Sequence, residues 1–477
     1  MLFSSFTFVF HFLPAVLLAF GAASRHSPRA GILVLLGASL FFYGAWRPIY
    51  LLLFLASVAL NFSLGLLMAD PRRRRTVGLI GVVINLTALC YFKYANFLID
   101  NVSALAGSPL PHADIVLPLG ISFFTFQQIA YLVDVMRGAP VERDIVSYTL
   151  FVSFFPHLIA GPLVHHAEMI PQFKRGRNGR SSVLAARGFA IFAAGLFKKV
   201  LIADNLAQFA TPVFAHLDAG GSVTASWAWL ATLAYTLQIY FDFSGYSDMA
   251  IGLALMFGIR LPVNFRSPYK SLSIIDFWRR WHITLSRFLR DYLYISLGGN
   301  RLGEMRRYLN LLITMLLGGL WHGAGWNFLI WGGLHGVYLG VNHLWRGAVG
   351  IGGGRGPLRL LSWIVTFAAV VIAWVFFRAS TVGGAWRALK GLAGLSPDEK
   401  VFVPSGIVRF MDLPVLTGAE TALLIGAGAT VLALICAVAL PNVPQIFRYR
   451  EYRRTPEAGS PICWKPNTLW AMVVALT

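Results

Sequence analysis

Apolar runs of roughly twenty residues, following one another and bounded by short basic clusters, leave this chain few folds to choose from. Lipid offers no partner to a backbone N–H or C=O, so each run must close its own hydrogen bonds as a helix. Composition agrees: 57% of the 477 residues are hydrophobic and 13% are charged, against about 25% charged in a soluble domain. The chain reads as an all-α polytopic membrane protein. Its net charge of +20 does not imply nucleic acid, because basic residues cluster where apolar runs end, as at Arg72 to Arg75, Lys198 with Lys199, and Arg306 with Arg307. That placement marks cytoplasmic loops and suits anionic lipid or a phosphorylated ligand. Cys90, Cys436 and Cys463 stand singly, so neither a disulfide framework nor a CxxC metal site is supported.

The first run, Leu2 to Ala23, has no Lys or Arg ahead of it and reads as a retained span rather than a secretory signal. Further spans are expected near Gly31 to Trp46, Tyr50 to Met68, Val77 to Ile99 and Val116 to Val135. The Arg25/Arg29, Arg72 to Arg75 and Arg137/Arg143 loops are basic, whereas Asp100 to Asp114 carries no Lys or Arg. This alternation puts the N-terminus outside the cytoplasm. It fails after Tyr148 to Pro162, where Lys174 to Arg187 is basic although an external loop is due. Pro156, Gly161 and Pro162 favour a broken, re-entrant run there. Later runs at Val183 to Phe197, Trp227 to Phe243, Met249 to Phe257, Leu309 to Leu320, Phe328 to Trp345, Leu360 to Phe377, Thr421 to Leu440 and from Leu469 bring the total to about eleven crossings. No internal repeat is visible, and Gly352 to Gly356 (GGGRG) reads as a linker, not a phosphate-binding loop.

Three stretches carry ionisable groups into apolar surroundings. In LLITMLLGGLWHGAGWNFLIWGGLHG, Leu311 to Gly336, His322 sits at membrane depth, which makes it a candidate site or a satisfied packing residue. In DFWRRWHITLSRFLRDYLYIS, Asp276 to Ser296, a 100° wheel puts Trp278, Trp281, Leu285 and Tyr292 on one face and Arg279, Arg280, Arg287 and Arg290 on the other. An interfacial amphipathic helix is expected, with His282 at the margin of its apolar face. Arg279 to Arg307 holds seven arginines against Asp291 and Glu304, either an orientation signal or a docking surface for a phosphate-rich donor. In YFDFSGYSDM, Tyr240 to Met249, Ser244 to Ser247 are expected to separate two helices and Asp248 to cap the second. Asp242 there is either half of a structural ion pair or a site-lining group. No metal is expected: HExxH is absent, adjacent His165 and His166 would diverge by about 100° on a helix, and His335 and His343 read as packing or interfacial residues. GxSxG is absent too.

RRWHITLSRFLRDYLYISLGGNR (Arg279 to Arg301) followed by the WHG stretch resembles the membrane-bound O-acyltransferase (MBOAT) family, closest to its bacterial alginate O-acetylation branch. The resemblance extends through FFYGAW (Phe41 to Trp46), YFKYANF (Tyr91 to Phe97), LPLGISFFTFQ (Leu117 to Gln127), FPHLIAGP (Phe155 to Pro162) and YFDFSGYSDMAIG (Tyr240 to Gly252). It implies one integral-membrane domain over residues 1–477, with a recognisable core to about 378 and C-terminal helices over 379–477. It implies a ring of about eleven transmembrane helices around re-entrant and amphipathic central helices, with a tunnel joining the two membrane faces. His322 would be the catalytic histidine and His282 the second required one.

On that resemblance, acetyl groups from a cytosolic thioester, acetyl-CoA, would pass across the bacterial inner membrane to an exopolysaccharide such as alginate. A periplasmic SGNH-hydrolase-like acetyltransferase and other polysaccharide-modification proteins would be partners, the bilayer the surroundings, and no cofactor tightly bound. A neutral imidazole, with a reference pKa near 6.5, can take the proton of an attacking hydroxyl, a role worth about 10² to 10⁴ in rate. His322 would be this base, and His282 would position or polarise the acyl group. Trp321, Trp278 and Trp281 would shape the tunnel with Asp242, Asn327 would be a candidate oxyanion donor, and Arg279 and Arg280 would touch donor phosphates. Alternatives within the family are D-alanyl transfer to teichoic acid and acetylation of peptidoglycan or cellulose. From another class, a transporter or flippase often shows paired repeats and acidic coupling residues; this chain has no visible repeat, and its strongest buried ionisable candidates are histidines.

Overall fold

The computed structural model describes residues 1–174, 182–349, 356–396, 407–410, 413–416 and 418–452. Residues 352–355 of the glycine-rich connector, Cys463 and the run from Leu469 lie outside them. Two compact units emerge, interleaved along the chain: one of Met1–Ala194, Tyr246–Val263 and the described residues from Val443 on, the other of Gly195–Gly245 and Asn264–Asn442.

The first unit starts with a π-helical turn, Thr7–Phe12, running into α1 (Leu13–His26). Ser27 breaks the chain into extended backbone, and its hydroxyl accepts from the Ala30 N–H at 3.0 Å to start α2 (Pro28–Gly44). Next come α3 (Pro48–Leu67), α4 (Arg74–Ala106) and α5 (Ile121–Met136), within a few residues of the expected spans. Only 22% of the apolar window of α3 is buried within the protein; such a surface belongs in lipid, not water. With 33 residues, α4 extends about 50 Å, well beyond a hydrocarbon core of about 30 Å. Between α3 and α4, Asn61 and Asn85 exchange side-chain hydrogen bonds of 3.2 and 2.6 Å, and each also donates to the carbonyl four residues back. In lipid, a polar pair closed on itself in this way ties two helices together.

The run at Tyr148 to Pro162 is broken, as expected. It forms α6 (Ile145–Ser153) and one further turn, α7 (Phe155–Leu158), before α8 (His166–Lys174). Nine residues in α6 rise only about 13 Å, too short to cross. Asp144 caps α6, accepting from the Val146 N–H at 3.2 Å and the Ser147 hydroxyl at 2.7 Å.

A second π-helical stretch, Lys198–Ala203, links α9 (Ser182–Phe197) to α10 (Asp204–Asp218). The expected break at Ser244 to Ser247 is absent: Ala225–Met256 is one continuous helix, α11, and Asp248 is a buried mid-helix residue, not a cap. The reason lies in packing. A Cβ at Gly245 would come 2.8 Å from the Gly195 carbonyl oxygen, and one at Gly252 would crowd the Gly188 carbonyl. Small residues seven apart on each helix therefore let α9 and α11 touch backbone to backbone, and these glycines serve the crossing instead of a turn.

The second unit continues with α12 (Ile274–Trp278), α13 (Ile283–Phe288), a π-helical stretch Leu289–Tyr294, α14 (Glu304–His322), α15 (Trp326–Val349), α16 (Pro357–Arg378), α17 (Val382–Leu392) and α18 (Ala419–Ala439). Two short antiparallel strands, β1 (Ile407–Phe410) and β2 (Leu413–Leu416), precede α18, and a last turn, α19 (Val443–Ile446), belongs to the first unit. Among the described residues five helices are long and apolar enough to cross a membrane, while Pro28–Gly44 and Ile121–Met136 are apolar but shorter.

The expected amphipathic helix over Asp276 to Ser296 is not one helix. Residue 282 has φ +42°, a left-handed conformation that ends α12's turn and starts α13 in a new direction. A wheel drawn at 100° per residue has no meaning across such a residue. His282 is consequently not at a helix margin but fully enclosed, with 1% of its surface exposed.

Candidate active site

His322 is the last residue of α14, and Gly323, in extended backbone, turns the chain through Ala324 and Gly325 into α15. This hairpin is unusually tight. A Cβ at Gly319 would overlap the Phe328 carbonyl oxygen, and one at Gly332 the Met315 carbonyl oxygen. Glycine is needed there for close approach, and the result is a half-buried imidazole held at a rigid helix end. Its ring packs against Trp331 and Phe377, both at 5.1 Å between centroids, and Trp321 at 4.8 Å.

The His282 ring lies 6.4 Å from that of His322, although 39 residues intervene in sequence. Its tautomer follows from its neighbours. Asn264 Oδ1 receives the Thr284 backbone N–H at 3.3 Å and the Thr284 hydroxyl at 3.0 Å, so that atom is the amide oxygen. His282 Nδ1, 3.1 Å from the same oxygen, must then carry a proton and donate. Nε2 is left with its lone pair, buried and without a hydrogen-bond partner. The residue sits in a turn between two short helices, and burial pushes its imidazole well below the ordinary histidine range, keeping it neutral. Phe243 packs edge-on against it at 4.7 Å and Trp321 at 6.1 Å.

The other expected site residues divide. Trp321 joins the two histidines directly. Trp281 packs, tilted, against Trp374 at 4.9 Å within the apolar core, and Trp278 donates its indole N–H to His335 Nδ1 at 3.3 Å. His335 is thus a packing residue, as read from the sequence, and is completely buried. Asn327 donates its amide to the Ala379 carbonyl at 2.6 Å, so that nitrogen is engaged in joining α15 to the end of α16. Asp242 forms an ion pair with Lys199 at 2.8 Å, the structural half of the two expectations. Arg280 is paired with Asp276 at 3.0 Å, while Arg279 stands exposed beside it.

Sequence reasoning missed Asn264, Trp331, Phe377 and Phe243. Asn264 had a signal, being an amide between Val263 and Phe265 in an apolar stretch; the aromatic walls had none that distinguished them from the chain's other rings. Among the described residues no group of three or more His, Cys, Asp or Glu side chains could hold a metal. The divergence expected of His165 and His166 does not occur. His165 precedes α8, so no helical rotation separates the two, and both approach Asp134 Oδ2, at 4.0 and 3.6 Å.

These features define a multi-pass membrane protein with two imidazoles edge-on to each other among aromatic rings, groups whose chemistry allows proton transfer. Residues 76–376 match MBOAT, the membrane-bound O-acyltransferase family, and the chain belongs to that family and is an O-acyltransferase. It is 45% identical over 427 residues to the peptidoglycan O-acetyltransferase of Helicobacter pylori, covering 83% of this chain and 80% of that protein. It is 47% identical over 398 residues to the probable alginate O-acetylase AlgI of Azotobacter vinelandii, covering 81% and 77%. With AlgI of Pseudomonas aeruginosa the identity is 46% over 398 residues, covering 81% and 74%.

Proposed function

We propose that this protein takes acetyl groups from acetyl-CoA at the cytosolic face of a bacterial inner membrane and passes them across for O-acetylation of an exopolysaccharide. A periplasmic acetyltransferase is the proposed partner for the final delivery. The observation that carries the mechanism is the imidazole pair, one half-buried at a helix end and one sealed and fixed in tautomer. A hydroxyl bound against His322 loses its proton to the imidazole as its oxygen attacks the thioester carbonyl. The C–O bond forms, the C–S bond breaks, and the proton passes on to the departing thiolate. A thioester is already activated, so positioning and proton removal do most of what is required.

Of the two roles expected of His282, its geometry supports positioning. Polarising a carbonyl needs a donor nitrogen, whereas Nε2 carries a lone pair and accepts from the hydroxyl or thiol that reacts. Arg279, exposed on the turn after α12, is the group in this region suited to donor phosphate, with Arg280 already paired. Alginate is the acceptor named in the AlgI relatives; peptidoglycan is the second reading, carried by the Helicobacter pylori relative.

His322→Ala should abolish acetylation, a loss of at least about 10² in rate, while membrane insertion and unfolding temperature stay as in the parent. Undiminished acetyl incorporation in cells carrying only the variant would sink the mechanism.

A further inference from the structure

Three arginines from separate elements meet around His343, which is half-buried towards the end of α15. The charges that bear on its ring are those of Arg307 at the start of α14, Arg346 on α15 itself and Arg279 just after α12. Hydrogen bonds brace two of the three. Arg346 donates to the hydroxyl of Ser273, the residue that caps α12, at 2.9 Å, and Arg307 donates to the Tyr308 hydroxyl at 2.8 Å. The α14–α15 hairpin is still closely packed here, since a Cβ at Gly340 would meet the Tyr308 ring at 3.8 Å.

What the cluster lacks is negative charge. Two other arginines of the segment each have a carboxylate, Arg280 with Asp276 at 3.0 Å and Arg290 with Asp291 at 2.7 Å. Of the three around His343 only Arg307 has one, Glu304 at 3.7 Å, and that side chain is 81% exposed. Arg307 Nε is buried without a hydrogen-bond partner, and the Arg279 side chain makes no hydrogen bond or ion pair to any described residue. Like charges brought together repel, an anion between them reverses the sign, and guanidinium forks match phosphate oxygens.

The distance to His322 says which phosphate. Arg307 and His322 are fifteen residues apart on α14, a rise of about 22 Å. In a phosphopantetheine thioester about fourteen bonds separate the carbonyl carbon from the phosphorus, and at about 1.2 Å of advance per bond the extended arm spans about 17 Å. Hydrogen bonds of about 2.8 Å at its two ends take up the remainder. The membrane side agrees as well. Arg306 and Arg307 form one of the basic clusters that mark the cytoplasmic face, and α15 returns to it alongside α14, with Gly332 against Met315 and Gly336 against Leu312.

We propose that Arg279, Arg307 and Arg346 seat the phosphate at the base of the donor's pantetheine arm, so that the arm's length delivers the thioester carbonyl to His322. This rests on the acetyl-transfer reading above and adds the donor's anchor to it. Coenzyme A and acyl carrier proteins present the same arm and phosphate; coenzyme A is the source assigned here, and the test separates the two.

The full chain in lipid nanodiscs is titrated with three donors: acetyl-CoA, an acetylated acyl carrier protein, and acetyl-pantetheine, which has the arm without the phosphate. Arg307→Gln and Arg346→Gln are each expected to bind acetyl-CoA ten- to a hundredfold more weakly, the range for losing a charged hydrogen bond, with the affinity for acetyl-pantetheine as in the parent. Arg307→Lys should recover part of the loss. A loss confined to the carrier protein would overturn coenzyme A as the source. Equal losses for acetyl-CoA and acetyl-pantetheine, together with a lower unfolding temperature, would mean arginines that only hold the hairpin, and unchanged affinity for all three donors would remove the phosphate seat. His322→Ala should keep the preference for acetyl-CoA over acetyl-pantetheine. A parent that shows this preference but transfers no acetyl group would sink the acetyl-transfer reading and leave the seat standing.

Discussion

Each unit of the protein buries a pair of neighbouring histidines, and the two pairs are built on opposite principles. In the first, His165 and His166 converge on the carboxylate of Asp134, but burial outweighs that charge at His166 and lowers its pKa. In the second, the rings around His282 and His322 are aromatic, and the one polar anchor of His282 with an assigned role is the neutral amide of Asn264. A carboxylate beside an imidazole favours the cation; an amide oxygen fixes the ring's tautomer without supplying a charge. The first pair thus has a charged neighbour and the second a neutral one.

The most severe way to break that contrast is to give the second pair what the first has. Asn264→Asp should turn His282 toward its protonated form and remove the accepting lone pair at Nε2, lowering acetyl transfer at pH 7 by at least about tenfold. Measuring the rate for Asn264→Asp against Asn264→Ser tests it; equal rates would mean that the neutrality of His282 is irrelevant. The reverse change in the first pair should matter much less. Asp134→Asn keeps a polar group of the same shape beside the two rings and removes a partly exposed charge, an effect of about 1 kcal/mol or less, so a slightly altered unfolding temperature with unaltered transfer per folded molecule is expected. A large fall in specific activity would show that the first pair takes part in the reaction.

The smallest effect belongs to the cap of α6. Burial alone would raise the Asp144 carboxyl, but hydrogen bonds from Ser147 and Val146 and the charge of Arg29 outweigh it and hold the group below its usual value. A carboxyl depressed in the folded state stabilises above its unfolded pKa, and that contribution disappears as pH falls through the folded one. Asp144→Ala should cost about 1 kcal/mol at pH 7, and the gap from the parent should close as melts are taken at pH falling through the depressed folded-state pKa of the carboxyl. A gap independent of pH would show that the carboxylate's charge is not what caps the helix.

Much of this was legible in the sequence, for identifiable reasons. The spans at Gly31 to Trp46, Tyr50 to Met68 and Leu360 to Phe377 are regular helices, and hydropathy reports them because every residue contributes independently. His322 stood out because an ionisable group in an apolar run is expensive. What stayed hidden depended on single backbone angles or on contacts distant in the chain. The left-handed residue 282 invalidated the wheel, and no periodicity announces a positive φ at histidine. Gly245, within Ser244 to Ser247, looked like part of a turn because a helix crossing and a break draw on the same residue type. The meeting of Phe243, Phe377 and Trp331 around the histidines is tertiary, and composition alone could not select three rings from so many.

The glycines of the His322 hairpin set a boundary on how such an enzyme can diversify. With no room for a single methyl at Gly319 or Gly332, any side chain there would force the two helix backbones apart. Descendants of this scaffold that carry bulkier acyl chains would make space by trimming the rings that face the two imidazoles, Phe377 at His322 and Phe243 at His282, while the hairpin stays as it is.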